Sequence, residues 1–151
     1  MALVAMTELG LTAFLINSGN DFDTWPSPRY HKLLIFFCFN AVWTTVFAAS
    51  YVLWFIDGAV HILASVASSI AWLFVTTALW AVASGIMLHT RGGGNCAGSA
   101  TISRCRQSLT VLALGWVELG ISALTLLATC LWVEANRRKQ RNIVDDSRRL
   151  V

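Results

Sequence analysis

Glu8 and Glu118 have the most chemical potential in this sequence, because each acid stands inside a long apolar run. An ionised carboxyl in hydrocarbon is costly and is rarely kept without a partner. Counted from the same end of their runs, Glu8 lies about nine residues in, Glu118 about ten, Asn40 about seven, and Thr76 and Thr77 about twelve. Every apolar run therefore offers a polar group near one level. The expected result is an interior cluster of Glu8, Asn40, Thr44, Thr77 and Glu118, hydrogen-bonded across helices, with at least one carboxyl kept neutral by burial and by its like-charged neighbour. Two roles are open to such a cluster. It can be hydrogen-bonded glue that sets helix order, or a proton or ion relay. A relay needs broken helices, paired repeats or a second polar row, and the opposite halves of the runs are nearly all apolar.

Cys96 and Cys105 stand nine residues apart in a Gly- and Ser-containing stretch that can bring two sulfurs together, so a disulfide between them is expected, with two free thiols as the alternative. Cys38 reads as a small buried residue. Cys130, beside Trp132 and next to a basic segment, is a candidate for reversible palmitoylation. His31, His61 and His89 are single residues at the ends of apolar runs, and no HxxxH, CxxC or GxSxG pattern occurs. No metal, cofactor or catalytic site is expected. A haem clamped between His31 and His89 is disfavoured because both lie outside the apolar runs.

The elements that position these residues follow from composition. The 151 residues are 56% hydrophobic and only 13% charged, outside the usual soluble range. From 33 to 56 and from 108 to 133 the only ionisable side chains are Cys38, Tyr51, Glu118 and Cys130, so neither run has a wet face. Each exceeds the length of about 20 residues that spans a bilayer. Helices are expected at 1–17, 33–56, 62–88 and 108–133, forming an all-α integral membrane four-helix bundle over residues 1–133, with a polar tail over 134–151. The first helix is at the lower limit for a span and carries Glu8. A signal peptide is its rival, disfavoured by the missing basic n-region and by the acid. The missing basic flank also suggests that a few residues belong ahead of it.

The connections suit antiparallel neighbours. Residues 18–32 contain Asn20, Asp21, Asp23, Pro26 and Pro28, which favour turns. Residues 57–61 make a tight hairpin in which Gly58 can end a helix. Residues 89–107 form a Gly-rich loop holding the cysteine pair. The tail holds six of the eleven Lys and Arg, namely Arg137, Arg138, Lys139, Arg141, Arg148 and Arg149. The other five, Arg29, Lys32, Arg91, Arg104 and Arg106, fall at the opposite side. That bias, with a disulfide needing the oxidising side, puts the tail in the cytoplasm.

Arg137, Arg138, Lys139 and Arg141 are then expected to contact anionic lipid headgroups. Nucleic acid is not an expected partner, since the tail mixes Arg with Asp145 and Asp146 and has no aromatic residues for stacking. Trp25, Trp54 and Trp132 read as interfacial anchors. Trp43, Trp72, Trp80 and Trp116 lie deeper, packed between helices or against lipid, with a lipid or sterol groove as an alternative. Ala64, Ala67, Ser68 and Ala71 would let another helix or protomer approach closely.

The order of four spans, the Ser27-Pro28-Arg29-Tyr30-His31 lead into the second, the Ala83-Ser84-Gly85-Ile86 run in the third, and the Cys96 loop closing in Ser103-Arg104-Cys105-Arg106-Gln107 together resemble fungal MARVEL-domain proteins. The resemblance covers nearly the whole chain and extends to the fungal non-classical export proteins, which are linked to eisosome-type furrows. It implies a non-enzymatic multi-pass protein that organises membrane domains or takes part in membrane apposition and vesicle trafficking, in the plasma membrane or the secretory pathway. Its implied partners are lipids, copies of itself or other membrane proteins. Two features depart from the pattern. Ser68 and Ala71 stand where the third helix often carries an acid and an amide, and the first helix lacks a basic flank. The alternative function is an accessory subunit of a small ion or proton channel or transporter, using Glu8 and Glu118.

Overall fold

The computed structural model describes residues 1–22, 27–57, 66–91 and 104–149. Four helices occupy them: α1 (Ala2–Phe22), α2 (Pro28–Asp57), α3 (Val66–Arg91) and α4 (Arg104–Arg149). The chain is all-helical over the described residues, and all four helices are long and apolar enough to cross a membrane. Helices adjacent in sequence pack on one another, and α1 also packs on α4, which closes a ring of four. The α1–α2 and α3–α4 pairs are the more extensive.

Five helix boundaries differ from the sequence expectation by three residues or more: α3 runs to Arg91 rather than Leu88, α4 starts at Arg104 rather than Ser108, and the other three each have a local reason. Helix α1 continues to Phe22 rather than ending at Asn17; Asn17 Nδ2 donates to Asp21 Oδ2 at 3.0 Å, a one-turn side-chain pair that supports the helix over residues expected to break it. Helix α2 starts at Pro28, not Leu33. Ser27 is its N-cap, accepting the Tyr30 N–H on Oγ at 3.2 Å, and Pro28 fills the first helical position, where a missing N–H costs nothing. Helix α4 does not end at Val133. It runs 46 residues through the composition change, because 134–149 holds no Gly or Pro and is rich in good helix formers. At ~1.5 Å per residue α4 is about 69 Å long, roughly twice the thickness of a hydrocarbon core.

The core explains why no helix looked amphipathic. Buried positions recur at spacings of three and four on every helix: Ala5, Glu8, Thr12 and Leu15 on α1; Phe37, Asn40, Ala41 and Thr44 on α2; Leu73, Thr76, Trp80 and Ser84 on α3; Val111, Gly115, Glu118 and Ser122 on α4. That is the seam of a bundle packed knobs into holes. Polarity is inverted relative to a water-soluble bundle. Glu8, Asn40 and Glu118 are 0% exposed, whereas Phe74 is 65% and Leu124 68% exposed. An apolar exterior around a polar seam suits a hydrocarbon solvent, where apolar contact alone does not drive helices together.

Candidate functional site

The seam divides into two halves with different hydrogen bonding. Between α2 and α3 the polar groups are joined. Trp80 Nε1 on α3 donates to Thr44 Oγ1 on α2 at 3.1 Å, and Trp43 Nε1 on α2 donates to Thr76 Oγ1 on α3 at 3.3 Å. Asn40 Nδ2 adds a third link, donating to the Leu79 carbonyl at 3.2 Å. Each helix thus supplies an indole donor to a threonine of the other. Aromatic contacts extend this interface: Trp43 packs on Phe47 with ring centroids 4.4 Å apart, and Trp72 lies 5.9 Å from Phe47 and 5.4 Å from Tyr51.

Thr77, expected in the cluster, is half-buried and donates to the Leu73 carbonyl of its own helix at 2.7 Å. Its neighbour Thr76 takes the interior place. The expected cluster was chosen one residue off on α3, and a shift of one position turns a helical side chain by about 100°.

Between α1 and α4 the polar groups are not joined. Thr12 Oγ1 turns back to the Glu8 carbonyl at 2.8 Å, and Ser122 Oγ to the Leu119 carbonyl at 3.0 Å. Glu8 and Glu118 are close enough to interact electrostatically. Glu118 lies near the first turn of α1, where the Ala5 N–H is committed to the Met1 carbonyl at 2.9 Å. None of the four carboxyl oxygens has a hydrogen-bond partner, nor do Asn40 Oδ1 and Ser84 Oγ. The expected cluster is therefore bonded in its α2–α3 half, while its two acids stand apart from those bonds.

Among the described residues, large apolar side chains stand between the acids and the far end of the bundle. Toward the C-terminal end of α1, Leu34, Phe37, Trp80, Met87 and Val111 fill the interior, all fully buried. Phe37 and Trp80 meet edge to face with centroids 5.9 Å apart. Beyond this plug lies a cavity of about 250 Å³ whose polar wall includes Tyr30, Arg91, Gln107 and Ser108. On the tail side, an open cavity of about 270 Å³ is walled by Met1, Ala48, Trp72 and Leu73 with Tyr51, Ser69 and Thr125. No group of three His, Cys, Asp or Glu side chains able to hold a metal occurs among the described residues.

The remaining expected sites lie on the surface or outside the described residues. Cys38 and Cys130 are free thiols, the first half-buried and the second exposed. Cys105 is half-buried at the start of α4, with Arg91 Nη2 at 4.0 Å from its sulfur. Cys96, His61, Trp25 and Ala64 lie outside the described residues. Arg137, Arg138, Lys139 and Arg141 are exposed along α4, where Glu134 and Arg138 form an exposed ion pair at 3.5 Å. His31 is half-buried and His89 exposed. Trp116 and Trp132 face outward at 47% and 61% exposure rather than packing between helices.

Thr12, Ser84, Gly115 and Ser122 also line the seam and were not expected there, whereas Trp80 packs between helices, one of the two places expected for it. Their signal was spacing: Glu8 with Thr12, Trp80 with Ser84, and Glu118 with Ser122 are each four apart, so each pair shares a helix face.

The chain matches no protein-family model, no curated protein and no solved structure with which it was compared.

Proposed function

We propose that this chain is an integral, multi-pass, MARVEL-like membrane protein that organises its lipid and protein neighbours, in membrane domains or in membrane apposition and vesicle traffic. The observation that carries this reading is the filled far half of the bundle, where Phe37 and Trp80 with Leu34, Met87 and Val111 stand between the acids and that end. In this reading the bundle acts through its outside. That outside is an apolar perimeter from which a helix with exposed Arg137, Arg138, Lys139 and Arg141 projects. Each basic residue near an anionic surface contributes ~1 kcal/mol of attraction.

In this reading the tail is cytoplasmic, Cys96 and Cys105 form a disulfide on the opposite side, and Cys130 is open to palmitoylation. Exposed Ala67 and Ala71 on α3 leave room for close approach of another helix. A membrane-impermeant thiol reagent on intact cells tests the topology: Cys96 and Cys105 should label only after external reduction while a C-terminal tag stays protected. Labelling only after permeabilisation, without reductant, would invert the topology.

The organising role is tested with labelled protein in giant vesicles of phosphatidylcholine and phosphatidylserine. The protein should enrich the anionic lipid around itself, and replacing the four tail cations by Gln should sharply reduce the enrichment.

A second role, as a proton-conducting or transport accessory subunit, is favoured by one observation, the four unpartnered oxygens of Glu8 and Glu118. Proton flux in proteoliposomes that disappears with Glu118→Gln would establish it in place of the first.

A further inference from the structure

At the end of the bundle opposite the basic tail, a groove of about 380 Å³ opens between α2 and α3, lined by Arg29, Lys32, Leu33, Phe36, Ile86 and His89 together with Thr90. Its chemistry is layered. On α2, Arg29 and Lys32 stand one turn before Leu33 and Phe36; on α3, His89 stands one turn beyond Ile86. Helical spacings of three and four put each set on one face. The nitrogen donors therefore lie toward the helix ends and the apolar side chains toward the bundle's middle. Arg29, Lys32 and His89 are exposed, Phe36 is half-buried and Ile86 is 49% exposed, so the groove is open to the side.

We propose that this groove is a binding site for one anionic phospholipid, whose phosphate-bearing headgroup sits among Arg29, Lys32 and His89 and whose acyl chain lies against Phe36 and Ile86. Charge complementarity selects the occupant. Among the described residues the only acid at this end is Asp21, which lies on α1 and already accepts a hydrogen bond from Asn17. A guanidinium supplies a planar fork of donors to phosphate, and an ammonium supplies a compact point charge beside it. Helices α2 and α3 also pack less extensively than α1–α2 or α3–α4, which leaves the furrow an acyl chain needs. The groove is distinct from the tail contacts, which lie at the other end of α4.

Native mass spectrometry of the full chain, released from detergent containing equal phosphatidylserine and phosphatidylcholine, tests this site. Wild type should retain one phosphatidylserine in preference to phosphatidylcholine. The exposed pair Arg29→Ala and Lys32→Ala should lower that preference by about thirtyfold, at ~1 kcal/mol per cation. Arg106→Ala removes an exposed cation at the same end but outside the groove, and should leave the preference unchanged. Equal losses in the Arg106 variant would mean diffuse attraction and overturn the site, as would equal retention of the two lipids by wild type. Should the double variant fail to fold, Ile86→Trp fills the apolar wall while keeping both cations, and it too must lower retention. None of the variants touches the tail cations, so an unchanged preference in the Arg29 and Lys32 or Ile86 variants overturns this site and leaves the organising role of the tail standing.

Discussion

Glu8 of α1 and Glu118 of α4 sit fully buried within electrostatic reach of one another, and neither carboxyl accepts a hydrogen bond from the protein. Two ionised acids in that position would repel in a dry medium. Dicyclohexylcarbodiimide, an apolar reagent that attacks the protonated carboxyl, should therefore label Glu8 or Glu118 in membranes, and Glu8→Gln with Glu118→Gln should abolish that labelling. A hydrophilic carbodiimide should not reach them. Rapid labelling by the hydrophilic reagent would show that water enters the seam and would refute the dry setting of the two acids.

The same pair makes a second prediction. Because no side chain donates a hydrogen bond to either acid, replacing both by Leu removes two desolvated polar groups without orphaning a side-chain donor, a change that is often neutral or stabilising. Thermal unfolding in detergent should show Glu8→Leu with Glu118→Leu melting at or above wild type. A large drop would mean that the acids are bonded in the folded protein.

The α2–α3 half should respond in the opposite sense. Trp80→Phe removes the donor to Thr44, and Thr44→Val removes the acceptor. Interhelical hydrogen bonds in membranes contribute about 0.6 kcal/mol and at most about 1.7. A double-mutant cycle should return a favourable coupling in that range, with the Trp80 substitution costing more because it also alters the contact with Phe37. Zero coupling would remove the indole–threonine link as a source of helix order.

Composition made the four helices legible, because long runs without charge have few other uses. Their inward faces were harder to read. With apolar residues on every side, no hydropathy period separates Thr76 from Thr77, and only the polar spacing shared with Trp80 and Ser84 points to Thr76. The α2 start was legible and was missed, since Ser27-Pro28 is an N-cap followed by a first-turn proline. The extension of α4 was hidden by the opposite error. A change from apolar to basic at Val133 marks where the solvent changes, and the backbone of α4 continues regardless. The unpaired state of Glu8 and Glu118 lay beyond sequence reasoning, because it depends on Thr12 and Ser122 bonding to their own helices.

Gly115 makes the sharpest packing prediction. A Cβ built there would lie 2.8 Å from Phe37 Cε1 and 2.8 Å from Ser84 Oγ, so α4 reaches α2 and α3 at this level only without a side chain. Phe37 cannot swing aside easily, because it is fully buried and meets Trp80 edge to face. Ser84 is fully buried as well. Gly115→Ala should therefore destabilise the bundle by about 1–3 kcal/mol, the usual cost of overpacking a filled core. Gly120, five residues along the same helix, meets nothing within 4 Å, so Gly120→Ala gains helix propensity at no steric cost and should match or exceed wild type. Unfolding both variants in mixed micelles by titration with sodium dodecyl sulfate compares them directly. A Gly115→Ala protein as stable as Gly120→Ala would mean that α4 does not approach α2 this closely. The plug that isolates Glu8 and Glu118 from the far end of the bundle would then be looser than Phe37 and Trp80 make it.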